Sequence, residues 1–288
     1  MDLSQYPHYG LSVSDFIRQA LLEDTGDGDH TSLSTIGQSE QGKAKVMIKE
    51  NGVVAGLVIA DQVLNIVDSS MVVKTLFAEG ASVKSGDVVM NVEGSVRSML
   101  KAERLLLNCM QRMSGIASLT RRYVDAVAGT GAVILDTRKT TPNFRLFEKW
   151  AVTLGGGMNH RFGLYDMILI KDNHVDASGG IKEALRKANA YLKEQGKQLK
   201  IEIETRNLEE VKQVISAGGA DRIMLDNFKP EMIREAVNLI NQKFETEASG
   251  GITLDNILEY AKTGVNFISV GALTHSYKSL DISMKIVK

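Results

Sequence analysis

The chain has one cysteine in 288 residues, so an intrachain disulfide is excluded, and Cys109 lies inside the apolar run Leu105-Leu-Leu-Asn-Cys-Met110. A thiol in that setting is expected to be buried and inert, packing as a small hydrophobe. Net charge is almost absent too, at -1, with 34 Lys+Arg against 35 Asp+Glu. No global field exists to recruit a nucleic-acid backbone or an anionic lipid surface, so any basic cluster must act locally on a small ligand. No segment approaches the roughly 18 apolar residues of a membrane span. The opening Met1-Asp-Leu-Ser-Gln-Tyr has neither the basic start nor the apolar stretch of a secretory signal. These absences predict a cytoplasmic protein that engages neither nucleic acid nor membrane.

What is present is a local density of cations. Between Asp136 and His174 they gather in Asp136-Thr-Arg-Lys-Thr-Thr-Pro142, Asn159-His-Arg-Phe-Gly163 and Lys171-Asp-Asn-His174. Arg138 and Lys139 directly follow the apolar run Val133-Ile-Leu135, and Lys171 follows Met167-Ile-Leu-Ile170. Apolar runs that end in charge read as buried strands delivering their termini to one place, and that many cations imply a polyanionic ligand.

From about residue 130 such runs alternate with helical stretches: Ala132-Val-Ile-Leu135, Met167-Ile-Leu-Ile170, Leu199-Lys-Ile-Glu-Ile203, Arg222-Ile-Met-Leu225, Phe244-Glu-Thr-Glu-Ala248 and Asn266-Phe-Ile-Ser-Val270. The later ones recur at roughly twenty-two residues, the period of a compact βα unit, with helices expected over residues 208–217, 230–242 and 255–263. The pattern predicts a parallel (β/α) barrel. Six runs are visible where a complete barrel needs about eight strands, so an open or incomplete barrel is expected.

The first 115 or so residues read differently: a helix over 14–22, an acidic loop over 23–32, strands near 43–49, 72–78 and 88–92, then a helix from 96 to 113 that continues across Gly115. Arg104, Asn108 and Arg112 share a face of that helix. The expectation is a mixed α/β domain over residues 1–115, a barrel domain over 116–275, and a C-terminal segment, 276–288, packing back on the first. The stretch Glu79-Gly-Ala-Ser-Val-Lys-Ser-Gly-Asp-Val-Val89 resembles the hairpin scaffold of biotinyl and lipoyl carrier domains. No lysine lies between Asp87 and Gly94 to be modified, so it is read as architecture.

In a barrel of this topology the C-terminal ends of the strands build the active site. Ser249-Gly-Gly251 and Val270-Gly-Ala272 follow the last two runs, where backbone N–H groups can approach phosphate oxygens; the plainer alternative is a pair of tight turns. Glu204 and Asp226 end neighbouring runs and could hold ribose hydroxyls, directly or through Mg²⁺. Alternatively they neutralise Lys171 and Arg138 as ion pairs. His160 and His174 invite a metal reading, which their cationic neighbours oppose.

Six segments together resemble motifs of the quinolinate phosphoribosyltransferase family, also called nicotinate-nucleotide pyrophosphorylase: Asp136-Thr-Arg-Lys-Thr-Thr-Pro142, Gly155-Gly-Gly-Met-Asn-His-Arg-Phe-Gly-Leu164, Leu169-Ile-Lys-Asp-Asn-His174, Leu225-Asp-Asn227, Ala248-Ser-Gly-Gly-Ile252 and Ile268-Ser-Val-Gly-Ala-Leu-Thr-His-Ser276. The resemblance runs from about Glu23 to the C-terminus. It implies an N-terminal α/β sandwich domain plus an open, incomplete (β/α) barrel of the type II phosphoribosyltransferase kind. The implied reaction joins quinolinate to phosphoribosyl pyrophosphate with Mg²⁺, giving nicotinate mononucleotide, CO₂ and pyrophosphate in de novo NAD synthesis. The implied active unit is a homodimer, with a hexamer compatible, in which Arg104 reaches the partner's barrel.

By matching motifs, the resemblance assigns Arg138, Lys139, His160, Arg161 and Lys171 to the quinolinate carboxylates, Thr137 to substrate binding, and Glu204 and Asp226 to the ribose. Ser249, Gly250, Gly251, Val270, Gly271 and Ala272 are assigned to the 5′-phosphate. Lys139, Lys171, Glu204 and Asp226 are the implied catalytic groups. No metal ligand is assigned outright: Mg²⁺ would arrive with substrate, with Glu204 and Asp226 available to it. The chain departs from the pattern at Asn143 and Trp150, where Gly and Tyr are expected, and at His30, which replaces an aliphatic residue. Two alternatives remain, a related phosphoribosyltransferase acting on nicotinate or another pyridine, and a non-catalytic anion-binding barrel.

Overall fold

The structure, a computed structural model, describes residues 12–287; the opening six residues read above for targeting features lie outside the described residues. The chain divides into two compact units, one of Met1–Arg121, Thr140–Gly156 and Tyr277–Lys288, the other of Arg122–Lys139 and Gly157–Ser276.

The first unit opens with α1 (Val13–Thr25), whose N-cap Ser12 accepts the Asp15 N–H. A second helix, α2 (His30–Thr35), arises inside the stretch read as a loop because Asp29 caps it, its carboxylate accepting the Ser32 N–H at 3.1 Å. Then follow β1 (Gln41–Ile48), β2 (Gly52–Val53), α3 (Leu57–Val67), β3 (Val72–Thr75), β4 (Ser82–Val83), β5 (Val88–Ser95) and the 31-residue α4 (Val96–Ala126). After β6 (Val133–Leu135) of the second unit, α5 (Arg145–Leu154) returns to the first. The second unit continues with β7 (Ile168–Ile170), α6 (Asp172–Ser178), α7 (Ile181–Glu194), β8 (Ile201–Thr205), α8 (Leu208–Ala217), β9 (Arg222–Asp226), α9 (Pro230–Ile240), β10 (Glu245–Ser249), α10 (Ile257–Ala261), β11 (Phe267–Ser269) and α11 (Ala272–His275). Finally β12 (Ile282–Val287) rejoins the first unit.

The first unit's main sheet is antiparallel with strand order β12-β1-β5-β3. In β1, Ala44, Val46 and Ile48 are buried at every second position, the period that gives a strand one core face. The carrier-like hairpin has a structural task. Glu79 accepts the Gly56 and Val58 N–H groups, both at 2.9 Å, closing the N-terminus of α3, which has no side-chain cap of its own. The expected domain cut at 115/116 falls inside continuous α4. The compact unit runs to Arg121 and also takes in 140–156, because Phe144 and Phe147 stack with Phe16 in one aromatic cluster. Gly115 permits a close crossing of the C-terminal segment, since an added Cβ would lie 2.3 Å from the Lys278 carbonyl oxygen.

The second unit is a parallel, six-stranded sheet of order β6-β11-β10-β9-β8-β7. Each of the six apolar runs in the sequence carries one of these strands. Consecutive β6 and β7 stand at opposite edges of the strand order, so the barrel is not closed, and the opening falls between them. One isolated parallel bridge, Leu135 to Met158, brings the segment after α5 alongside β6. Among the described residues no helix is long and apolar enough to cross a membrane.

Candidate active site

The cationic group is assembled at the end of β6 and on the segment beside it. Asp136 is fully buried, and its Oδ1 accepts the His160 N–H at 2.9 Å, tying the two segments together. The Thr137 hydroxyl accepts the Lys139 N–H at 3.1 Å, so Thr137 shapes the turn that carries Arg138 and Lys139. The Lys139 carbonyl in turn accepts the Thr274 hydroxyl at 2.8 Å, fastening this turn to α11. Beyond His160, Asp166 accepts the Phe162 and Gly163 N–H groups at 2.6 and 2.9 Å and folds the loop that follows Arg161. Burial, followed by the Arg138 charge, lowers the Arg161 pKa, whereas Asp166 and Glu202 act the other way. Two guanidiniums held within electrostatic reach of each other favour an anion bearing more than one carboxylate.

An acidic group lies on β8 and β9, which neighbour each other in the sheet. The Lys171 ammonium, at the N-cap of α6, is 3.3 Å from Glu204 Oε2. His174 Nδ1 accepts the Lys171 N–H at 2.9 Å, so His174 is engaged in closing a helix end. Glu204 is buried; burial raises its pKa, Lys171 lowers it, and Asp226 raises it again. Asp226 accepts the Ser249 hydroxyl at 2.5 Å and the Asn227 amide at 2.6 Å. Of the two suggested ion pairs, Glu204 with Lys171 is present, while Asp226 is held by neutral donors.

Both glycine loops join this arrangement. Asn227 adopts a left-handed φ of 57°, and its N–H donates to the Ser249 carbonyl at 2.8 Å. Gly250 and Gly251 follow with φ of 90° and 64°, which glycine adopts without strain. A Cβ at Gly271 would meet His275 Nε2 at 3.0 Å and the Lys139 side chain at 3.2 Å, so this loop packs against the Lys139 turn. Val270 donates its N–H to the Leu135 carbonyl at 2.9 Å, and Ala272 opens α11. Asn227 is a structural link between Asp226 and the Ser249 loop that the residue-by-residue reading left unassigned. Its signal was an Asx residue directly after a strand-ending carboxylate, at a position where the chain must turn left-handed.

Beneath these loops is a buried cluster that the sequence did not announce. His160 Nε2 stands 2.9 Å from Glu202 Oε2 and 3.4 Å from Glu247 Oε2, with both glutamate side chains fully buried. Arg222 pairs with Glu247 at 2.9 Å and lies over the Phe267 ring, 3.9 Å from its centroid. His160 Nδ1 accepts the Arg161 N–H at 2.7 Å, so the ring is held by a hydrogen bond at Nδ1 and by close charge contacts at Nε2. Burial opposes charging the ring, but the two carboxylates win and push its pKa up to about 9. The Arg161 N–H aimed at Nδ1 favours the neutral ring protonated on Nε2; in either form Nε2 carries the proton that faces the carboxylates. Burial, with Glu247 next, pushes Glu202 up to about 7. Burial also opposes ionisation of Glu247, yet His160, Ser269 and Arg222 together hold it below the usual carboxylate range. The donor atoms of His160, Glu202 and Glu247 lie within 4.8 Å of one another, as a metal site would require. A divalent ion would nonetheless have to displace the Nε2 proton and share Glu247 with Arg222, so these residues suit a proton better.

Arg104, in the first unit, lies on the exposed face of α4. Arg112, two turns on, is spent internally: it donates to Glu148 at 3.0 Å and Thr141 at 2.8 Å and lies 5.3 Å from the centroids of both Phe144 and Tyr277. The three departures are accommodated locally. Asn143 takes φ of 61°, Trp150 is fully buried, and His30 starts α2 with its ring 3.3 Å from Asp27.

Two family models match the chain, one described as quinolinate phosphoribosyl transferase, N-terminal domain, over residues 29–114, and one as its C-terminal domain over residues 116–285. A chloroplastic nicotinate-nucleotide pyrophosphorylase [carboxylating] of Arabidopsis thaliana is 47% identical over 98% of this chain and 84% of its own length. A probable nicotinate-nucleotide pyrophosphorylase [carboxylating] of Bacillus subtilis is 42% identical over 96% of this chain and 94% of its own. Among solved structures, NadC from Streptococcus pyogenes superposes with a TM-score of 0.91 at 39% identity, covering 97% of this chain and 99% of that one.

Proposed function

The chain belongs to the quinolinate phosphoribosyltransferase family, and from that premise we infer that its barrel joins quinolinate to the ribose of phosphoribosyl pyrophosphate. It is a phosphoribosyltransferase: the products are nicotinate mononucleotide, CO₂ and pyrophosphate, a step of de novo NAD synthesis. The observation that carries this reading is the proximity of Arg138 to Arg161, whose proton affinity is lowered by burial and then by the Arg138 charge, on the barrel that also bears Glu204, Asp226 and two glycine loops.

Quinolinate carries two carboxylates, and Arg138 and Arg161 would receive them as planar bidentate donors, with Lys139 and Lys171 as point charges. The backbone N–H groups of Ser249 to Gly251 and Val270 to Ala272 would hold the 5′-phosphate. As the bond from the anomeric carbon to pyrophosphate breaks, positive charge grows on that carbon, and Glu204 and Asp226 are suited to stabilise it. The ring nitrogen forms the new bond to the anomeric carbon and becomes a pyridinium. The adjacent carboxylate then leaves as CO₂, its electron pair passes to the ring carbon that held it, and that carbon takes a proton. The cationic ring is its own electron sink, so no nucleophile or decarboxylation cofactor is needed.

Mg²⁺ forms part of the proposal, and the carboxylates suit it: Glu204 and Asp226 are hard oxygen donors within electrostatic reach of each other. When bound, the ion would neutralise charge on the departing pyrophosphate. The homodimer, with Arg104 entering the partner's barrel, and a cytoplasmic location are proposed with it, supported by the exposure of Arg104 and by the absence of a membrane-crossing helix among the described residues. One assay tests the central reading: quinolinate, phosphoribosyl pyrophosphate and Mg²⁺ should yield CO₂ and nicotinate mononucleotide in equal amounts, and nicotinate should be turned over poorly. Nicotinate turnover matching or exceeding that of quinolinate would overturn it, as would the absence of CO₂.

A further inference from the structure

We propose that Glu202 and Glu247, backed by Arg222, are positioning residues for the pyridine acceptor: they anchor His160 inside the barrel and thereby fix Arg161 against the dicarboxylate. The inference rests on the phosphoribosyl-transfer reading above, because the acceptor it concerns is the acceptor of that reaction.

The segment that carries His160 and Arg161 runs along the opening between β6 and β7, and its ladder link to β6 is the isolated bridge at Leu135 and Met158. Side chains therefore have to do what a neighbouring strand would do in a closed barrel. Asp136 takes the His160 N–H at 2.9 Å on one side. On the other, the ring reaches across the barrel interior to Glu202 on β8 and Glu247 on β10, at 2.9 and 3.4 Å. The ring then accepts the N–H of Arg161 itself at 2.7 Å, so the anchor is one bond from the residue it steadies.

The anchor also bears on charge at this position. Arg138 and Arg161 are like charges that repel, and Asp166 and Glu202 act against that repulsion at Arg161. Carboxylates with no solvent exposure attract the Nε2 proton in a low-dielectric interior, where such a contact is far stronger than at a surface. Arg222, 2.9 Å from Glu247, and the Ser269 hydroxyl keep the pair of glutamates from remaining an uncompensated charge. A cluster serving only the stability of the barrel would affect both substrates alike; an anchor for Arg161 affects the acceptor.

The test compares Glu202→Ala and Glu202→Gln in the full-length protein under conditions where the wild type turns over quinolinate. The alanine variant should raise KM for quinolinate about tenfold or more, the usual scale for loss of a partner that orients a binding group, while KM for phosphoribosyl pyrophosphate stays within about twofold. The glutamine variant, which still offers an oxygen to Nε2–H, should recover part of the loss. Equal rises for both substrates, or no rise, would overturn the proposal. Independently of turnover, ¹⁵N-histidine NMR of the wild type, with the His160 signal identified by its disappearance in His160→Gln, should show Nε2 protonated between about pH 6 and 8. A His160 ring protonated only on Nδ1 would overturn the anchor even if the alanine variant failed to fold, and a wild type inactive on quinolinate would sink the functional reading without altering this signal.

Discussion

A methyl group on Gly250 would stand 2.2 Å from the Asn227 side-chain oxygen and 3.0 Å from the Asn227 backbone nitrogen. Neither atom can retreat freely, because the Asn227 amide donates to Asp226 at 2.6 Å and its N–H donates to Ser249 at 2.8 Å. Gly250→Ala therefore combines a clash with a left-handed backbone, φ 90°, that alanine adopts reluctantly. The expected result is a stability loss of about 1–3 kcal/mol in thermal unfolding and a raised KM for phosphoribosyl pyrophosphate, with a smaller change for quinolinate. An unchanged phosphoribosyl pyrophosphate KM would remove this loop from the phosphate site.

In the proposed site Arg138 and Lys139 would divide the work of binding a dicarboxylate, one as a fork and the other as a point charge. Either substitution to alanine should lower kcat/KM for quinolinate by about 30-fold to 1000-fold, the scale set by removing one partner of a hydrogen-bonded charge pair. Circular dichroism should report an intact fold, since Lys139 is exposed and Arg138 half-buried. Arg138→Lys should recover little, because an ammonium cannot reproduce two parallel N–H donors. Near-normal kinetics in both alanine variants would contradict the site.

The interior cluster gives stability a pH dependence of definite sign. Glu202 has a folded-state pKa pushed up to about 7 by burial and then by Glu247, well above that of an exposed glutamate. Between about pH 4.5 and 7 the folded chain thus holds a proton that the unfolded chain has lost, and stability falls as pH rises through that window. Glu247 is shifted the other way, so its contribution is lost only at lower pH. Measured as a difference in Tm, the wild type should lose more stability than Glu202→Gln between pH 5 and 8, on the order of a few degrees. Parallel Tm profiles would show that Glu202 is ionised throughout.

Much of the second unit is legible in the sequence because each strand is a short apolar run closed by a polar or glycine element, as at Leu225-Asp226 and Ala248-Ser249. The same feature exposed the cations and the glycine loops. Helix α5 escaped notice for a physical reason: Glu148 and Lys149 are fully buried in it, so its charges do not mark a solvent face. Glu202 and Glu247 escaped for the related reason that a glutamate at every second position of a strand reads as an outward-facing stripe, whereas an incomplete barrel can turn that stripe inward. The pairing of β12 with β1 depends on residues more than two hundred positions apart, as at Ala44 and Ile286, and no local pattern encodes it.

Arg104 offers the test of whether the site is shared between chains. It lies on the exposed face of α4, in the unit that does not carry the other cations. If it serves the partner's barrel, Arg104→Ala and Lys171→Ala subunits should each be inactive alone for different reasons, since the first lacks the donated cation and the second has a damaged barrel. A hybrid dimer contains one barrel with an intact Lys171 that receives Arg104 from its partner, and one barrel lacking both. Equal mixing with free exchange makes half of the dimers hybrid, each with one working site, so activity should return to about a quarter of wild type. Mass spectrometry or differently tagged subunits would verify the exchange. Full exchange with no return of activity would assign Arg104 to its own chain's site or to none.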